Sequence, residues 1–153
     1  MVVGRGRPSG RPALAETFAT LRDILVAQSD QLVVTVDKPG DFQVASPDMQ
    51  DRIGRPLFVA GVQMRKHYVS YHLMAVYAAP RLVHSLSPGL KKRMQGKSCF
   101  NFTRIDAEQR NELAALTQRG IHAFRDIPLP WAPRQKPGAK PSVTRYTIKQ
   151  SAR

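Results

Sequence analysis

At 153 residues with a single cysteine, this chain has the length of one domain and holds no intramolecular disulfide. Its 24 Lys and Arg against 11 Asp and Glu give a net charge of +13, which favours anionic partners. No apolar run approaches the ~20 residues of a membrane helix, and the first apolar stretch follows a Gly/Arg/Pro segment rather than a secretory signal, so a soluble, cytoplasmic protein is expected.

The two ends differ from the middle. Residues 1–12 set Arg5, Arg7 and Arg11 among glycines and prolines, and residues 127–153 carry prolines, lysines and arginines but no acid. Such segments bury too little apolar surface to offset their ordering entropy. The expected organisation is a flexible basic arm (1–12), one folded domain (13–126) and a flexible Pro-rich basic tail (127–153). Most of the excess positive charge therefore lies outside the domain.

Residues 13–29 read as an amphipathic helix, with Leu14, Phe18, Leu21 and Leu25 at helical spacing. Leu32–Val36 and Asp41–Ala45 are strand-like, and Asp37-Lys-Pro-Gly-Asp41 between them is a hairpin signal. Residues 46–56 read as a loop, Leu57–Met64 as a third strand and Tyr68–Val76 as a fourth. In the fourth, Val69, Tyr71 and Leu73 face one way while Tyr68, Ser70, His72 and Met74 face the other. Both faces are partly apolar, which suits a central strand.

Short helices follow, started by Pro80 and by Ser87-Pro88, where serine suits the N-cap and proline the first turn. Lys91, Lys92 and Arg93 fall in the last turn and Gly96 is the expected stop. Lys97–Thr103 is a fifth strand, with Phe100 and Phe102 on one face and Cys99 and Asn101 on the other. Asp106 with Gln109 forms a capping box for a last helix reaching about Arg125, in which Gly120 is a weak point. The order α-β-β-β-β-α-β-α predicts an α+β fold: a mostly antiparallel five-stranded sheet with helices packed on it.

The stretches Gly61-Val-Gln-Met-Arg-Lys-His-Tyr-Val-Ser-Tyr-His-Leu-Met74 and Ser87-Pro-Gly-Leu-Lys-Lys-Arg-Met-Gln-Gly-Lys-Ser-Cys-Phe-Asn-Phe102 resemble the YdhG-like domain family, over roughly residues 14–125. The resemblance implies a frataxin-like fold. It also implies an alternative role, since some relatives are regarded as frataxin-like iron chaperones that deliver iron to cluster or haem assembly. Frataxins use an acidic ridge on the first helix and strand; the matching region here offers Glu16, Asp23, Asp30, Asp37 and Asp41. Glu16 and Asp23 share a helix face but stand about 10 Å apart along it, too far to hold one ion, and Arg22 and Lys38 dilute the patch.

Each reactive side chain also fits an ordinary structural role. His72 beside Tyr71 suits a binding pocket or a hydrogen-bonded position on the sheet; His67, His72, His84 and His122 have no metal-ligand spacing, so neither metal nor cofactor is expected. Cys99 near Lys97 suits either a lowered-pKa thiol or a buried structural one. Lys91, Lys92, Arg93 and Lys97 form a cationic cluster that grips an anion or merely solvates a helix end; it is not a P-loop. With no carboxylate pair or complete triad, the expectation is a non-enzymatic binding domain. Its pocket would lie at Tyr71, His72, Arg93, Lys97 and Cys99 and take a small anionic ligand. A further alternative is weak, non-specific nucleic-acid association through the basic tails, without an ordered aromatic platform for stacking.

Overall fold

A computed structural model describes residues 10–125. The arm and tail expected to be flexible lie outside these residues, except for Gly10 to Pro12. Those three join the fold: α1 (Arg11–Val26) begins two residues before the expected boundary, with proline in its first turn. It also ends earlier than expected, in a 3-10 turn at Ser29–Gln31.

Six strands follow one antiparallel order, β1-β2-β3-β4-β6-β5. The first hairpin joins β1 (Val33–Lys38) to β2 (Asp41–Gln50), with Lys38 opposite Asp41. Only Pro39 and Gly40 lie between, and Gly40 takes a φ of 77°, a conformation that glycine enters without a Cβ penalty. Its carbonyl also accepts from the Met64 amide at 2.8 Å, tying the turn to β3 (Pro56–Met64).

β2 continues to Gln50, through part of the expected loop. Pro47 is tolerated there because the register slips between Ala45 and Gln50, so no ladder bond is demanded of it. The Ser46 hydroxyl instead accepts from the Asp48 and Met49 amides.

β4 (Val69–Leu73) is central, as its two-sided composition implied, with β3 and β6 as neighbours. Val69, Tyr71 and Leu73 are fully buried, while Ser70 and His72 are half-buried on the opposite face. The strand stops at Leu73 rather than Val76, and α2 (Met74–Ala78) starts at once. Packing decides this. Ala75 sits against Gly120 of α4 (Ala107–Phe124), where an added Cβ would stand 3.1 Å from the Ala75 Cβ. The glycine read as a helix weak point is a close-approach position.

The expected five strands are six. After a 3-10 turn at Pro80–Val83 and α3 (Pro88–Lys91), Met94–Gln95 forms β5 and pairs with β6 (Cys99–Phe102). Gly96, with φ 71°, turns this hairpin rather than stopping a helix. Two residues carry no periodicity, so their pairing was invisible in the sequence.

All helices with assigned contacts to the sheet lie toward one face. α1 packs on β3 and β4 and against α4, and α4 reaches the sheet through Thr117 and Gly120. The core between the layers buries Leu21, Leu25, Phe42, Tyr71, Phe100 and Leu116. The Asp106 capping box of α4 is present in both directions, and Ser87 caps α3 by accepting from the Leu90 amide.

Candidate functional site

The five residues expected to share a pocket are divided by the sheet. Tyr71 points into the core, fully buried, and its hydroxyl is hydrogen-bonded to Thr117. It cannot reach a ligand on the face where His72 lies, because consecutive strand residues point to opposite faces. This corrects the expected pocket.

His72 and Cys99 do come together. They are directly paired across β4 and β6, and both line a small hollow of about 190 Å³ on the face away from the helices. The Ser98 hydroxyl stands 2.8 Å from His72 Nε2, and the Phe58 ring meets the imidazole edge-on at 5.2 Å. Gly61 makes room for that ring: a Cβ there would lie 3.1 Å from it. Burial pushes the His72 pKa below its usual value of 6.5.

Lys97 stands apart from both. Its side chain is exposed, with Nζ 5.8 Å from the Tyr77 ring centroid.

Arg93 faces a different cavity, an open cleft of about 550 Å³ between α1 and the start of α4. Its backbone is fixed by the Asn101 amide, which donates to the Arg93 carbonyl at 2.8 Å beside the β5–β6 ladder. The opposing walls are Glu16, Thr17 and Thr20 of α1 and the segment Thr103 to Asp106. Most polar groups on these walls already have partners. Thr17 Oγ1 donates to the Thr103 carbonyl and Thr20 Oγ1 to the Glu16 carbonyl. Asp106 accepts from the Gln109 amide at 2.7 Å, and the Gln109 side chain is held by the Asp106 amide and the Gly89 carbonyl. The Arg93 Nε, by contrast, is buried with no hydrogen-bond partner among the described residues.

The cleft's other walls were not foreseen. Sequence spacing sets Glu16 on a helix face with Asp23 and Asp106 at a helix cap. The capping box located the start of α4 but gave no sign of what stands opposite.

Two of the acidic residues named from the family resemblance, Asp37 and Asp41, are engaged elsewhere. Arg22 grips both oxygens of Asp37 at 3.0 and 3.1 Å and covers the Phe42 ring at 4.7 Å. Asp41 accepts from the Gln43 amide group at 3.0 Å. Among the described residues, no three His, Cys, Asp or Glu side chains gather as a metal site, and no helix is long and apolar enough to cross a membrane. Comparison with known family models, curated proteins and solved structures finds no match.

Proposed function

We propose that this protein is a non-enzymatic binding domain for a small anionic ligand, held by Arg93 in the cleft between α1 and α4. The observation that carries this reading is the buried Arg93 Nε without an acceptor. An unpaired buried donor costs about 1–3 kcal/mol. A carboxylate or phosphate entering the cleft supplies the missing acceptor, and guanidinium holds such groups through two parallel bonds. The cleft's volume of about 550 Å³ suits a small molecule. Glu16 on the facing wall offers an acceptor for a hydroxyl or amino group of the same ligand.

The frataxin-like assignment belongs to this proposal. What supports it is the layout, with the long first and last helices on one face of an antiparallel sheet. Placement in the cytoplasm is supported by the free thiol of Cys99, which suits a reducing compartment.

Thermal unfolding with and without small carboxylates tests the binding reading. A ligand at a hundred times its Kd stabilises the native state by about 2.7 kcal/mol. The melting temperature is expected to rise for the parent protein and to stay flat for Arg93→Ala. Equal shifts in both proteins would remove the proposal.

A further inference from the structure

The Arg93 cleft has a neighbour. A second cavity, of about 390 Å³, shares Ala13, Thr103 and Arg104 with it, so the two lie on either side of one segment. The second cavity's other polar side chains are Arg11, Lys66 and His67. They arrive from separate parts of the chain. Arg11 opens α1, Lys66 and His67 form the β3–β4 turn closed by the Arg65 amide on the Tyr68 carbonyl, and Arg104 follows β6.

The charge of this lining is one-sided. Glu16 and Asp106 line the first cavity, but no carboxylate lines the second. Neither Arg11 nor Lys66 takes part in an ion pair among the described residues. Two cationic side chains without an ion pair, Arg11 and Lys66, gathered on one cavity repel each other, and the repulsion is relieved by a bound counter-charge. A phosphate fits this lining best, because it meets arginine through two oxygens, meets lysine as a compact charge, and carries more charge than one carboxylate.

We propose that the second cavity is a phosphate subsite, and that the ligand carries a phosphate there in addition to the anionic group held by Arg93. The two-group ligand rests on the Arg93 reading; the phosphate subsite rests on its own lining. Joining two anions in one molecule raises the effective concentration of the second once the first is bound.

The test is calorimetric titration of the full chain with inorganic phosphate and with inorganic triphosphate. Three proteins are compared: the parent, the double variant Arg11→Ala with Lys66→Ala, and Arg93→Ala. The substituted side chains at Arg11 and Lys66 are exposed, so that variant keeps its core. The parent is expected to bind triphosphate at least about tenfold more tightly than phosphate. The double variant should lose about tenfold or more in phosphate affinity, the loss of charge-assisted bonds. Arg93→Ala should keep phosphate binding at the second cavity, lose any at the first, and remove the triphosphate advantage. Unaltered phosphate affinity in the double variant, or no phosphate binding by the parent at millimolar concentration, overturns the subsite. If that binding is instead lost in Arg93→Ala, the Arg93 reading stands alone. If Arg93→Ala changes neither titration while the double variant loses both, the subsite stands and the Arg93 reading falls.

Discussion

The Tyr71 hydroxyl donates to the Thr117 hydroxyl and so joins the centre of β4 to α4 inside the core. The direction follows from Thr117, whose own proton goes to the Leu113 carbonyl at 2.7 Å. Burial raises the Tyr71 pKa well above its usual 10. Tyr71→Phe is therefore expected to cost about 1 kcal/mol at neutral pH. Above pH 10 the unfolded phenol ionises while the folded one stays protonated, so the parent protein loses stability as pH rises. Urea unfolding at about pH 7 and about pH 11 should show this loss in the parent and less of it in the Phe variant.

His72 gives the opposite limb. Its pKa is lowered by burial in the folded protein, so below the ordinary value of 6.5 the unfolded chain binds the extra proton first. Its contribution is intact above that value and declines as pH falls through it. Urea midpoints at about pH 7.5 and about pH 5.5 should fall further in the parent than in His72→Gln. An equal fall in both would remove His72 as a source of acid sensitivity.

Gly120 sits where α4 touches α2. In an exposed helix, Gly→Ala would stabilise by roughly 1 kcal/mol. Here the new Cβ would stand 3.1 Å from the Ala75 Cβ, and Leu73 lies 3.4 Å away. Overpacking of this kind costs about 1–3 kcal/mol, so Gly120→Ala is expected to lower the melting temperature. Adding Ala75→Gly should recover part of the loss, and a double-mutant cycle would measure the contact.

Arg93 separates stability from binding. Replacing an unpaired buried donor with an apolar side chain removes its desolvation cost. Arg93→Met is expected to leave the ligand-free protein as stable as the parent or up to about 1 kcal/mol more stable, while losing the shift given by carboxylates. A stability loss beyond about 1 kcal/mol would mean that the guanidinium already has a partner in the free protein.

Much of the fold was legible because local rules governed it. The alternation in Val69–Leu73 set Tyr71 and His72 on opposite faces, and Ser87 and Asp106 marked helix starts by their capping chemistry. That same alternation already separated Tyr71 from His72, so grouping them in one pocket went against the strand period. The missed features lacked a local signal. β5 is two residues long, β2 passes through Pro47 by slipping register, and α2 replaces the end of a strand because Ala75 fits against Gly120.

By itself, then, the sequence determined which strand residues share a face, the capped start of the last helix, and that helices accompany an antiparallel sheet. These follow from side-chain period and from hydrogen bonds between residues a few positions apart. Only the tertiary structure decided that Arg93 stands opposite Glu16, and that Arg11, Lys66 and Arg104 line one cavity. Those neighbours are brought together by the pairing of β4 with β6 and by the docking of α1 and α4. The buried contacts that secure them are summed over the whole core, and no short stretch of chain encodes that sum.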